Sequence, residues 1–158
     1  MAQNNVPDWV TKLDAKRQAT AKRVIAEAQA QGVPRELALG MAMQESGFDQ
    51  SKKSKTGPTG VMMLGKAAAK DMGVNRYNEA ENIRGGVKYM KMMLDKYNND
   101  VDKALIAYHD GPNSNYFTTG QASPAALNHL AFEADILRTS AICPLAMMTI
   151  KTTRLAAP

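Results

Sequence analysis

One carboxylic acid in this chain stands where its neighbours could change its affinity for a proton. In the stretch from Leu37 to Phe48, Leu37, Met41 and Glu45 lie four apart, with Ala38 and Ala42 beside them. On a helix these residues share one face. That face is otherwise apolar and must pack inward, so Glu45 extends a buried stripe in the last turn before Gly47. Partial desolvation and the negative end of the helix both disfavour another negative charge there, and both raise the pKa. A carboxylic acid tuned in this way can donate a proton near neutral pH. The local pattern also fits, and more commonly, a solvated helix-end residue or one half of a structural ion pair.

A second stretch invites a different chemistry. Gly60-Val61-Met62-Met63-Leu64-Gly65-Lys66 has the spacing G-x-x-x-x-G-K of a phosphate-binding loop. Such a loop follows a buried strand, and a hydroxyl residue after its lysine holds a magnesium ion. Here the preceding run, Asp49 to Thr56, is polar and charged, Ala67 takes the hydroxyl position, and four apolar side chains fill the space between the glycines. The spacing is a decoy, and its glycines read instead as shaping a loop.

Around these residues the chain reads as helices separated by glycine and proline turns. Residues 8–31 form one long helical pattern, with Trp9, Leu13, Ala21, Val24, Ile25 and Ala28 on its apolar side and Gly32 as its stop. Pro34 opens a second helix that runs to Ser46. Residues 47–65 lack periodicity and are rich in Gly, Ser, Lys and Thr, so a loop with a short β excursion is expected. A short helix, 66–72, ends at Gly73. The clearest amphipathic helix carries Ile83, Val87, Met90, Leu94 and Tyr97. Asp100 caps a further helix with Leu105 and Tyr108, which breaks at Gly111-Pro112. Ser123-Pro124 starts a last one with Leu127, Leu130, Ala131, Ala134 and Leu137 on one side. No repeat and no series of strands is present, so the fold class is mostly α. Residues 1–138 read as one domain, and residues 139–158 as a tail without a clear pattern.

Composition limits what such a domain can do. With 158 residues the chain can bury a core without staples. A single cysteine, Cys143, excludes an internal disulfide, and with only two histidines it makes a zinc site implausible. No metal and no cofactor is expected. The net charge of +5 favours anionic partners: nucleic acid, cell-wall polymers or acidic lipids. No run approaches ~18 apolar residues, so no membrane insertion is expected. The start lacks the basic and apolar regions of a secretory signal. Lys52, Lys53 and Lys55 cluster beside one aromatic, Phe48, which is not a base-stacking platform, and nucleic acid is not an expected partner.

Four segments in order carry a resemblance. Glu45-Ser46-Gly47-Phe48, Ser54-x-x-Gly57-x-x-Gly60-Val61-Met62, Glu81-Asn82-Ile83-x-x-Gly86-x-x-Tyr89 and Ala107-Tyr108-His109-Asp110-Gly111-Pro112 resemble the lytic transglycosylase (SLT) family of lysozyme-like enzymes, over residues 33–115. The resemblance implies an α+β lysozyme-like fold and cleavage of the β-1,4 bond between N-acetylmuramic acid and N-acetylglucosamine in peptidoglycan, without water, leaving a 1,6-anhydromuramoyl end. It implies that Glu45 protonates the glycosidic oxygen and then deprotonates the C6 hydroxyl that closes the anhydro ring. Ordinary glycosidases use two carboxylates; here an intramolecular hydroxyl replaces water. By position, Ser54, Val61, Met62, Met63, Tyr108 and His109 are expected to line the saccharide cleft. Ser46, Gly57, Gly60, Asn82, Tyr89 and Gly111 are expected to support it.

The departures from the family pattern are specific. The family reads G-L-M-Q where this chain has Gly60-Val61-Met62-Met63, and Gly65 and Lys66 replace a usual methionine and proline. His109 replaces an asparagine. Asp110 replaces a small residue and could position a water, giving a lysozyme-type hydrolase; turn chemistry explains it equally. Met63 and Gly65 leave open a catalytically weakened peptidoglycan-binding module. Peptidoglycan glycan strands are the expected partner. With no signal for export, a bacteriophage virion-associated or lysis enzyme, alongside other virion proteins, is the expected setting; a fragment of a longer protein would look the same.

Overall fold

Helix ends in this chain are set mostly by local capping chemistry. The computed structural model describes residues 6–139, with side chains described to Ile136. Eight helices follow in order: α1 Asp8–Thr11, α2 Ala15–Gln31, α3 Arg35–Ser46, α4 Lys66–Met72, α5 Glu79–Lys96, α6 Val101–Asp110, α7 Tyr116–Thr119 and α8 Pro124–Thr139. The described residues contain no extended strand, only isolated antiparallel pairings of Lys53 with Thr59 and of Thr59 with Leu64. The class is mostly α, as expected. The chain divides into two compact units, Met1–Lys91 and Met92–Pro158. The segment 140–158, read above as most of a tail, lies outside the described residues.

In the first unit, α2 packs on α1 and α3. The single helix expected over 8–31 is in fact two. Asp14 accepts a hydrogen bond from the Arg17 amide at 3.0 Å and so starts α2 afresh. The Gln18 amide reaches back to the carbonyls of Thr11 at 3.0 Å and Leu13 at 2.6 Å, satisfying the end of α1. The break changes which α1 residue is buried: Val10 is fully covered, while Leu13 is only half-buried. The α2 stripe of Ala21, Val24, Ile25 and Ala28 is buried as read. Thr20 and Arg23 on the same helix bond to Glu79 at the start of α5, at 3.1 and 2.6 Å.

Helix α3 buries Leu37, Ala38, Leu39, Met41 and Ala42. It ends in left-handed geometry at Gly47 (φ 63°), whose amide bonds to the Met43 carbonyl at 2.9 Å. Phe48 repeats the left-handed turn at φ 63°, a conformation bulky side chains seldom adopt. Its ring is fully buried and stacks on Trp9, centroids 6.2 Å apart. Apolar burial of an aromatic offsets a backbone cost of about 1–3 kcal/mol.

In the second unit, α6 packs against α8. Asp100 caps α6 through the Lys103 amide at 3.1 Å, and Ala104 to Ala107 are buried. Helix α7 had no signal in the sequence. It is one turn, with Phe117 stacked on Tyr97 at 4.7 Å and 4°. The face read for α8 is corrected. Ala126, His129 and Glu133 are buried, Leu127 is 44% exposed, and Ala131 is exposed. Leu137 lies beyond the described side chains. A tertiary contact sets this rotation: Ser123, which caps α8 through the Ala126 amide at 3.1 Å, is itself held by Asp110 at the end of α6.

Candidate active site

Glu45 occupies the last turn of α3, extending the buried stripe of Leu37 and Met41. It is half-buried, and loss of water around its carboxyl raises the pKa from 4.5 to about 7. At neutral pH such a group is divided between acid and carboxylate, so it can both give and take a proton.

The residue after it fixes what lies alongside. The Ser46 hydroxyl donates to the Val61 carbonyl at 2.8 Å and accepts from the Asp49 amide at 3.1 Å. The loop 50–64 is thereby tied to the end of the helix that carries Glu45. Three further side chains hold the same loop by its backbone. Gln50 accepts from the Val61 amide at 3.1 Å and donates to the Arg76 carbonyl at 3.1 Å. Asn82, fully buried on α5, accepts from the Met62 amide at 2.8 Å and donates to the carbonyls of Thr59 and Arg76, each at 2.9 Å. Arg76 donates to the Gly57 carbonyl at 2.9 Å and the Leu64 carbonyl at 3.3 Å. Gly60 (φ 86°) sits against this array. A Cβ there would collide with the Asn82 amide group and lie 2.8 Å from Gln50 Oε1, so only glycine fits.

Sequence reasoning singled out Ser46, Gly60 and Asn82 but missed Gln50 and Arg76. Both bond to main-chain atoms of the loop, and such contacts leave no periodic or motif signature. Tyr89 is half-buried on α5, and Gly57 (φ 110°) turns an exposed part of the loop.

The residues expected to touch sugar divide into two kinds. Val61 and Met62 are fully buried, main chain included, so neither presents a side chain to the surface. This corrects the expectation of side-chain contacts from them; the cause is the pinning of both amides, by Gln50 and Asn82. Met63 is half-buried at φ 44°. Ser54 is half-buried, its hydroxyl 2.9 Å from that of Thr56 within a tight turn.

In the second unit, Tyr108 is half-buried and His109 exposed in the last turn of α6, which Gly111 (φ 93°) ends. Asp110 is heavily engaged. One of its oxygens lies 2.8 Å from His109 Nδ1 and accepts from the Ser123 hydroxyl at 2.6 Å; the other accepts from the Ser123 amide at 3.0 Å. Burial pushes its pKa up, but the hydrogen bonds from Ser123 and His109 outweigh that and leave it below the usual value. The geometry is that of a structural clasp between α6 and α8. His129 stands 4.9 Å from the His109 ring, and burial first, then the His109 charge, lowers its pKa to about 4. Glu133, also unforeseen, is fully buried, with no hydrogen-bond partner at either oxygen among the described residues, and burial raises its pKa well above the ordinary value.

Comparison with known proteins gives this arrangement a context. Residues 22–129 match the family described as Transglycosylase SLT domain. The chain is 42% identical over 78 residues to a transglycosylase of Enterobacteria phage PRD1, covering 49% of this chain and 29% of that protein. It is 39% identical over 82 residues to membrane-bound lytic murein transglycosylase F of Aeromonas hydrophila, covering 48% and 16%. Peptidoglycan transglycosylase gp16 of Escherichia phage T7 is 36% identical over 92 residues, covering 53% and 7%. The chain thus spans less than a third of the length of these relatives. An inactive mutant of lytic transglycosylase Slt from Pseudomonas aeruginosa shares the fold, with TM-score 0.55 and 20% identity over 75% of this chain and 22% of that one. With the family match covering residues 22–129, more than half of the chain, the chain belongs to the transglycosylase SLT domain family.

Proposed function

We propose that this domain is a peptidoglycan lytic transglycosylase with Glu45 as its one acid and base. The carrying observation is the placement of Glu45: at the end of a buried helical stripe, with its pKa lifted to about 7, beside a loop held rigid by Ser46, Gln50 and Asn82. The protonated carboxyl donates its proton to the glycosidic oxygen as the bond from C1 of N-acetylmuramic acid breaks. The carboxylate then removes the proton of the C6 hydroxyl as that oxygen bonds to C1, which closes the 1,6-anhydro ring and restores the acid. No proton is consumed over the cycle. Met63 and Ser54 on the loop are the proposed saccharide contacts of the first unit; Tyr108 and His109, in the second unit, are proposed as contacts separately, from their place in the family motif.

The occupied carboxylate of Asp110 supports this reading over a hydrolase. An aspartate that accepts three hydrogen bonds from His109 and Ser123 is committed to holding α6 to α8 and is poorly placed to activate water. The two phage relatives support a setting in a virion or in host lysis, with the peptidoglycan of the host as substrate. Detection of the protein by mass spectrometry in purified particles tests that setting.

Digestion of purified sacculi followed by mass spectrometry tests the activity. Muropeptides with 1,6-anhydro ends are the expected products. Reducing muramic ends in their place would make the enzyme a hydrolase, and binding without release would make it a recognition module.

A further inference from the structure

The charge of this protein is concentrated in one place. The segment from Gln50 to Lys70 contains Lys52, Lys53, Lys55, Lys66 and Lys70 and no Asp or Glu. With five of the 20 lysines and arginines here and none of the 15 acids, the rest of the chain is balanced at 15 of each sign. All five lysines are exposed, and none joins an ion pair among the described residues. Ordinary surfaces intersperse the two signs.

The backbone gathers these lysines. Lys53 pairs with Thr59, and Thr59 with Leu64, so the turn bearing Lys52, Lys53 and Lys55 lies two strand spacings, about 10 Å, from the start of α4. Lys66 and Lys70 stand four apart on α4 and share a face, where like charges repel. The separations are near one screening length at physiological salt, so the five charges act together on an approaching anion. The loop beneath them is the one that Ser46 ties to the end of α3.

We propose that this lysine face docks the carboxylates of the peptides that branch from the peptidoglycan strand, so that the domain holds its substrate by the branches as well as by the sugars. This rests on the function proposed above. The segment contains no aromatic residue, and so no platform for stacking bases. It also presents no exposed large apolar side chain with which to enter a lipid surface. Single ammonium groups on flexible stems suit scattered, mobile carboxylates, whereas arginine is the residue favoured for forked recognition of phosphate.

The test compares the wild type with a variant in which Lys52, Lys53, Lys55, Lys66 and Lys70 are all changed to Gln. The substrates are intact sacculi and glycan strands stripped of their peptides by an amidase. Binding is measured by co-sedimentation and cleavage by product release, with circular dichroism to check the fold. On intact sacculi the variant should need on the order of tenfold more substrate for half-saturation at low salt, with maximal rate unchanged and salt dependence largely lost. On stripped strands, which keep only the lactyl carboxylate of each muramic residue, the difference between the two proteins should shrink well below that on intact sacculi. A variant with all five lysines changed to Arg should bind intact sacculi as the wild type does. Equal binding of intact sacculi by wild type and Gln variant overturns the proposal. So does an equal loss on both substrates, or a stronger retention of the wild type by duplex DNA or phosphatidylglycerol vesicles at the same salt. If the wild type cleaves neither substrate, the proposed activity fails, while the co-sedimentation comparison still decides the lysine face.

Discussion

The Ser46 hydroxyl reaches the Val61 carbonyl at 2.8 Å, joining the residue after Glu45 to the middle of the loop that runs beside it. The covalent neighbour of the acid thus helps to position the loop, and a shift of one is passed to the other through the Ser46 side chain. Ser46→Ala leaves the Val61 carbonyl without this donor and loosens the loop's tie to α3.

Changing Glu45 to Gln should lower cleavage of sacculi by about 100- to 10,000-fold, with the fold retained. The same change should alter stability with a definite sign. Because burial raises the Glu45 pKa from 4.5 to about 7, the folded state holds this proton more tightly than the unfolded state. The ionised group therefore costs stability progressively between pH 4.5 and about 7, and fully above that. Thermal melts should show Glu45→Gln matching the wild type near pH 4 and exceeding it by roughly 2–6 °C at pH 8.

The pH dependence of kcat/KM on soluble muropeptide oligomers provides a separate check. The proton that Glu45 donates is lost as pH rises through about 7, so activity should decline on the alkaline side with an apparent pKa near that value. A profile flat from pH 6 to 9 would contradict Glu45 as the acid.

Asn82→Ala should destabilise the domain by about 3 kcal/mol, because it strands the Met62 amide and the carbonyls of Thr59 and Arg76. Denaturant titration reads the loss. Asn82→Asp keeps the acceptor for Met62 but sets a buried carboxylate oxygen against both carbonyls, and it should cost at least as much as Ala.

Asp110→Ala should cost about 1–2 kcal/mol by releasing Ser123 and the start of α8. With its pKa held below the ordinary value, Asp110 adds stability at neutral pH that is lost as pH falls below about 4. The ratio of anhydro to reducing ends should not change. A rise in anhydro product would mean that Asp110 had been directing water.

Glu133→Leu should stabilise the protein, on the order of 2 kcal/mol at pH 7 by thermal melt, since it removes a buried carboxyl that has no partner among the described residues. The gain should grow with pH, because ionising this raised-pKa group costs the native state most under alkaline conditions.

What could be read in the sequence was what neighbouring residues decide among themselves. The ends of α3 and α4 were legible because Gly47 and Gly73 cap them locally, and α5 because Ile83, Val87, Met90 and Leu94 repeat along it and are buried. The position of Glu45 at the end of the α3 stripe followed from the same kind of spacing. The break between α1 and α2 was hidden because Asp14 and Gln18 look like ordinary members of a long polar face until their side chains are seen to cap. The rotation of α8 was hidden because it depends on Asp110, thirteen residues before Ser123, so a stripe of Leu and Ala outscored the buried Ala126, His129 and Glu133. Gln50 and Arg76 escaped notice because bonds to main-chain atoms impose no pattern on the residues bonded.

That last property has an evolutionary consequence. Ser46, Gln50, Arg76 and Asn82 grip the loop only by its amides and carbonyls, so its shape is indifferent to most of the side chains it displays. Positions such as Lys52, Lys55 and Met63 can drift without unmaking the scaffold. Substitutions there could retune what the loop meets in a differently decorated wall, leaving the acid and its supports inherited unchanged.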